Sequence, residues 1–191
     1  MPAGVASVKG VVFRTAVERM LKLREGGGPA AAALDARLSP AAARALEAPI
    51  SDGGWYPVAV HAELLRLLLE IEGAGDREYL VEGGRQAARA LEASGLYAQL
   101  RLAARERAPE RVGPILVSLV GSIYDFGEWR CAATAAAVAI EMRGASRLPE
   151  EMRCRAEGFL EVAVGRLLDR PVRVRSERPD ADTLLFHVLP R

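Results

Sequence analysis

Two histidines and two cysteines are all the imidazole and thiol donors that 191 residues offer. His61 stands one turn before Leu64 and Leu65, on the apolar side of a helix-patterned stretch. A neutral imidazole there could act as axial ligand to a haem or a metal. No second His, Cys or carboxylate lies nearby at ligand spacing, so the preferred reading is a core histidine hydrogen-bonded to backbone. His187 alternates with Leu185 and Leu189 and is expected to be structural or partly exposed. Cys131 and Cys154 have no partner at metal-ligand spacing. They read as small buried hydrophobes, kept reduced in a cytosolic chain.

Other chemistry is conspicuous by its missing signatures. No GxxxxGK[ST] stretch is present to cradle phosphate. Gly26-Gly27-Gly28 follows a helix rather than a strand, the wrong context for dinucleotide binding. No GxSxG elbow occurs, and no Ser has obvious His and carboxylate company. Asp180 and Asp182 fall in a turn, where solvated acids are expected. No catalytic residues, metal ligands or cofactor are therefore assigned, and enzymatic activity is not expected.

Net charge is +1 with 50% hydrophobic residues, which excludes disorder and argues against broad electrostatic binding to nucleic acid or an anionic membrane. The cations are 24 Arg against 2 Lys, and Asn is absent, a skew that reflects GC-rich coding rather than chemistry. Arg101, Arg105, Arg107 and Arg111, interrupted by Glu106 and Glu110, read as a solvated, ion-paired helix face. Arg173 and Arg175 lie on the polar side of a strand. No aromatic platform accompanies either group, as single-strand binding would require. The apolar run at 112–124 is shorter than the roughly 20 residues of a membrane span. Residues 1–13 carry no secretory pattern, and a cytoplasmic location is expected.

The elements that must position these residues follow from periodicity. Apolar residues recur at helical spacing over 9–23, and Gly26-Gly27-Gly28-Pro29 stops that helix. An Ala-rich helix runs to Leu38; Ser39 caps the next, with Pro40 in its first turn. Pro57 opens a strong helix to about residue 72. Asp76 caps another that reaches Ser94 and ends at Gly95. Helices are also expected over 96–107 and 109–124. From Asp125-Phe126-Gly127 the pattern changes to strands at 128–134 and 135–143, a helix at 148–168, and strands at 172–175 and 183–189. The chain is thus α+β and a single unit, with a helical half over about 8–124 and a β-β-α-β-β half over 125–191. Gly83-Gly84 with Ala87, Ala88 and Ala90 leaves one helix side nearly free of bulk. That side suits close packing, either within the chain or across a homodimer.

Three stretches carry a family resemblance: Val8-Lys9-Gly10-Val11-Val12-Phe13, Gly54-Trp55-Tyr56-Pro57 and Tyr124-Asp125-Phe126-Gly127-Glu128. Together with the helix-strand-strand ending, they resemble an uncharacterised myxobacterial paralogous family. That family is distantly similar to the superfamily of haem–nitric-oxide-binding sensors, 4-vinyl-reductase domains and TRAPP vesicle-tethering subunits. The resemblance implies a helical bundle on a four-stranded antiparallel sheet, and ligand sensing or subunit docking rather than catalysis. The family's Cys-Arg … Gly-Asp … Cys signature is missing, since Val174-Arg175-Ser176-Glu177-Arg178 and Asp180-Ala181-Asp182 hold no Cys. The haem sensors' Tyr-x-Ser-x-Arg motif is missing too.

The expected function is a non-catalytic module that binds a small apolar ligand or a partner protein through its helical layer. A cavity is expected between the two most apolar helices and the sheet. Its lining would be Trp55, Tyr56, His61, Leu65 and Leu68 on one side and Ile115, Leu119 and Ile123 on the other. The alternative is a haem or gas sensor with His61 as axial ligand. A reductase-like enzyme is a weaker alternative, resting on fold analogy alone.

Overall fold

Val11, Val12, Phe13, Ala16, Val17 and Met20 recur at helical spacing, and all are buried on the inner side of helix α1 (Gly10–Glu25). The structure, a computed structural model, describes residues 4–93, 109–133 and 138–191. Helices α2 (Gly28–Asp35) and α3 (Pro40–Glu47) follow. Ser39 caps α3 as its type and place predict, its Oγ accepting from the Ala42 N–H at 3.2 Å. Helix α4 (Val58–Ile71) buries Leu64, Leu65, Leu67 and Leu68. Asp76 caps α5 (Arg77–Ala93), accepting from the Glu78 N–H at 2.9 Å. Helix α6 (Pro109–Ile123) completes the helical half. The helix expected over 96–107, with Arg101, Arg105 and Arg107, lies outside the described residues. So do the expected helix end at Ser94-Gly95 and the hairpin tip at 134–137.

The second half is β3 (Glu128–Ala133), β4 (Val138–Arg143), α7 (Glu150–Leu168), β5 (Val172–Glu177) and β6 (Thr183–Pro190). The four strands form one antiparallel sheet in the order β3-β4-β6-β5, with Ile140 opposite Phe186 and Met142 opposite Leu184. Alternation decides which face is covered: Val138, Ile140, Met142, Val172, Val174, Leu184 and Phe186 are all buried. Helix α6 packs against β3 and α7 against β5, so the helical layer lies on the sheet in an α+β arrangement.

One small element was invisible to periodicity. Strands β1 (Ser7–Lys9) and β2 (Trp55–Pro57) pair antiparallel, and Val8 also bridges Tyr124. Three residues are too few to show a period of two. The Ser7 N–H donates to Asp125 Oδ1 at 2.6 Å, and the Asp125 N–H returns a bond to the Ser7 carbonyl at 3.2 Å. Gly10 is required where β1 meets α1, because a Cβ there would sit 1.9 Å from the Ser51 carbonyl oxygen. The stretches 8–13, 54–57 and 124–128, far apart in sequence, thus meet at one corner of the molecule.

The smooth side of α5 is covered by α7 of the same chain. A Cβ on Gly84 would stand 1.9 Å from the Arg155 carbonyl oxygen, and one on Gly158 would stand 1.8 Å from that of Val81. Ala87 and Ala88 are buried in the same seam. Of the two packings expected for this face, the one within the chain is made, and the homodimer is not supported at this seam: two glycines, one per helix, let the backbones touch. Arg85 ties the seam's rim, bonded to Glu161 on α7 at 2.8 Å and to Glu78 on its own helix at 2.7 Å.

Candidate functional site

A cavity lies where α1, α4, α5, α6 and α7 converge over β3. Its apolar wall comes from Val12 on α1, Ala87 on α5, Val120 and Ile123 on α6, and Met152, Phe159 and Leu160 on α7. Its polar groups are His61, Tyr124, Trp129 and Arg155. The free volume is about 20 Å³. A water needs roughly 10–15 Å³ on that scale, so the space suits one or two waters or a molecule of that size.

His61 is fully buried, and neither ring nitrogen has a hydrogen-bond partner. The backbone bond expected for a core histidine is not made. The ring instead takes the edge-on neighbourhood of Phe13, at 5.6 Å between centroids and 62° between planes. Phe13 in turn stacks on Tyr56 at 4.7 Å. Burial holds the His61 imidazolium well below the usual pKa, and the Arg155 charge adds to the effect. The ring is therefore neutral, able to donate through one nitrogen and accept or ligate through the other.

Arg155 is the second feature, and composition gave no reason to single it out. It sits in the apolar stripe of α7, one turn after Met152 and one before Phe159, and it is buried. Its guanidinium lies in the notch left by Gly83, where a Cβ would stand 3.2 Å from Nη1. Nη2 donates to the Thr15 hydroxyl on α1, while Nε has no partner. Burial brings its pKa down to about 10, opposed by the neighbouring Tyr124 and Tyr79 phenols. Trp129 Nε1, on β3, is a further buried donor without an acceptor. Burial pushes the Tyr124 phenol up to about 12, so this group is neutral as well.

The other residues expected around the cavity take varied places. His61 and Ile123 stand on its wall. Leu65, Leu68 and Leu119 are buried in the common core, and Ile115 packs half-buried against it. Tyr56 backs Phe13 and accepts from the Ser51 N–H at 2.9 Å through its hydroxyl. Trp55 is 45% exposed on β2, with the Lys9 ammonium 4.0 Å over its ring, so it belongs to the surface.

Cys154 is buried, Cys131 half-buried, and both are free. Burial raises both thiols, which keeps thiolate scarce, and the Cys154 sulfur accepts from Arg77 Nε at 3.1 Å. His187 faces Glu177 across the β5–β6 pair at 3.1 Å. Asp180 and Asp182 are more than solvated acids. Asp180 accepts from the Asp182 and Thr183 N–H groups at 2.8 Å each, and Asp182 from Gly144 and Ser146. No group of three or more His, Cys, Asp or Glu suited to a metal exists among the described residues.

No family profile and no curated protein matches the sequence. Solved structures do. The Fe(II) unliganded H-NOX protein from K. algicida matches with a TM-score of 0.63 at 13% identity, over 96% of both chains. A point mutant of the T. tengcongensis H-NOX matches with a TM-score of 0.55 at 15% identity, over 95% of this chain and 96% of that one. An oxygen-binding H-NOX domain related to soluble guanylate cyclases, in its oxygen complex, matches at 0.53 and 13%, over 95% and 94%. These neighbours give no support to the vesicle-tethering or vinyl-reductase branches of the resemblance. At such identities the likeness speaks for architecture: the chain has the H-NOX fold.

Proposed function

We propose that this chain is a non-catalytic sensing domain that receives a small ligand at His61 and passes the resulting change in packing to a partner protein. The observation that carries the reading is a fully buried imidazole, both nitrogens unpartnered, on the wall of an interior cavity. A buried polar group without a partner costs about 1–3 kcal/mol, and a bound ligand that bonds to it recovers that cost. The cavity is bounded by α5 and α7, whose backbones touch at Gly84 and Gly158. A ligand that displaces either helix must therefore move both. The likeness to an oxygen-binding H-NOX domain supports sensing as the role. No helix among the described residues is long and apolar enough to cross a membrane. We place the domain in the cytoplasm, in keeping with its two free thiols.

Haem is the second reading, and the fold likeness favours it more directly than the broader one, since one of the similar structures concerns heme distortion in the H-NOX family. The neutral imidazole of His61 has the right donor chemistry. The space does not fit: about 20 Å³ is many times too small for a porphyrin, and a buried cation lies on its wall. Titration of the purified chain with haemin, beside native mass spectrometry of the protein as purified, separates the readings. A Soret band lost in His61→Ala establishes haem. A bound mass lost in the same variant, with no Soret band, establishes a smaller ligand. Neither a band nor an adduct overturns the sensing role.

A further inference from the structure

We infer that the cavity is a binding site for a small, planar, monovalent anion of the carboxylate or nitrite kind, with Arg155 as its counter-charge. The inference rests on the cavity being a ligand site, as proposed above, and names the chemistry of what enters it.

Charge is the first argument. A guanidinium removed from water costs several kcal/mol unless an acid compensates it. Elsewhere on the same two helices compensation is routine: Arg77 meets Glu157, Arg85 meets Glu161, and Arg153 meets Glu150. Arg155 meets no carboxylate among the described residues. Its contacts are a hydroxyl and a glycine notch, and the Tyr124 phenol lines the same cavity. Its positive charge is left unbalanced beside an open space.

Hydrogen bonding is the second argument, and it is independent of charge. Arg155 and Trp129 come from different elements and line the same cavity, and Nε–H of the one and Nε1–H of the other both lack an acceptor. A cation is repelled there, and an apolar molecule leaves both donors unmet. Water supplies an acceptor but no charge. A flat anion with two oxygens supplies both, and guanidinium binds that shape best. The size agrees, since the free volume admits a group of a few non-hydrogen atoms, a small anion or the head of a longer acid.

The free anion and the carboxylate head of a longer apolar acid share this chemistry, so the test uses both. Thermal midpoints are measured in sodium gluconate, whose five hydroxyls would have to be stripped of water against the apolar wall, with sodium formate, nitrite or hexanoate replacing it at constant ionic strength. Emission of Trp129 is followed on formate addition in a Trp55→Phe background. Binding at a hundred times the dissociation constant raises the midpoint by roughly 5–11 °C for a chain this size. Formate and nitrite are expected to produce that rise and to change Trp129 emission; a larger rise with hexanoate assigns the site to the head of an apolar acid. Arg155→Met should abolish the rise while melting no lower than the parent in gluconate. Should that variant fail to fold, Trp129→Phe keeps the charge and should weaken the rise. Equal midpoints in formate, nitrite, hexanoate and gluconate overturn the inference, as does an undiminished rise in Arg155→Met. A His61-dependent haem band with no anion effect would sink this inference and leave the sensing role standing.

Discussion

Replacing Gly84 by Ala sets two physical effects against each other with opposite signs. Ala is the better helix former by about 1 kcal/mol, so intrinsic propensity predicts stabilisation of α5. Packing predicts the reverse. The new Cβ would lie 1.9 Å from the Arg155 carbonyl oxygen and 2.9 Å from the Phe159 nitrogen, both backbone atoms of α7 that no rotamer change can move. The helices must part by at least about 1 Å before that contact becomes tolerable. Overpacking of this kind costs about 1–3 kcal/mol, and rigid backbone neighbours place it at or above the upper end. Net destabilisation of roughly 2 kcal/mol or more follows, a fall of roughly 4–8 °C in melting temperature. Gly121 on α6 is the control, being exposed with nothing within 4 Å of a built Cβ, so Gly121→Ala should gain stability. Circular dichroism melts of the three proteins decide it. A Gly84→Ala chain as stable as the parent would show that α5 and α7 do not touch as described.

Three further outcomes follow. Ala87→Arg puts a charged side chain into the buried seam and cavity wall, so it should abolish cooperative melting; light scattering that instead showed a folded monomer replacing a dimer would restore the intermolecular reading. Glu157 is 2% exposed and accepts from the Ser176 N–H at 3.0 Å as well as from Arg77, Arg153 and the Ser176 hydroxyl; Glu157→Ala should cost about 3 kcal/mol in urea denaturation, and a loss below 1 would mean those bonds are not made. His61 is held neutral in the fold, so below pH 6.5, its ordinary pKa, the unfolded chain takes a proton that the native one refuses. Stability from this residue is complete above that pH and falls on acidification by up to about 1.4 kcal/mol per unit. His61→Leu should flatten that part of the pH profile, and an unchanged slope between pH 6.5 and 5 would refute the buried neutral ring.

Sequence made the elements legible where one local signal dominated. Ser39-Pro40 announces α3 because capping is a local hydrogen bond, and Val172 and Val174 announce β5 because alternation shows within four residues. Burial of a charge is different. Nothing local singles out Arg155, and what buries it is Gly83-Gly84, some seventy positions upstream on another helix. The smooth face of α5 was visible, yet whether it met a helix of its own chain or a second copy depends on Gly158, which no local pattern links to it. His61 was visible as a buried imidazole. That it lacks a backbone partner follows from the packing of Phe13 and the other walls, which periodicity does not encode. Trp55 shows the converse: an aromatic within a recognisable motif, placed on the surface by a strand of three residues.

Strand order has a consequence for synthesis on the ribosome. In β3-β4-β6-β5 the strand of this sheet that is made last lies inside it, hydrogen-bonded to β4 on one side and β5 on the other. Translation delivers the helices and the β3–β4 hairpin first. Until residues 183–190 emerge, β4 keeps an open edge, β5 has no neighbour, and Ile140 and Met142 lack Phe186 and Leu184 opposite them. The nascent chain therefore carries a sticky sheet edge until β6 is made, and closure of the sheet is a single event. A stalled chain ending before Thr183 should be held by chaperones or aggregate, whereas one extended past Pro190 by enough linker to clear the exit tunnel should fold while still attached.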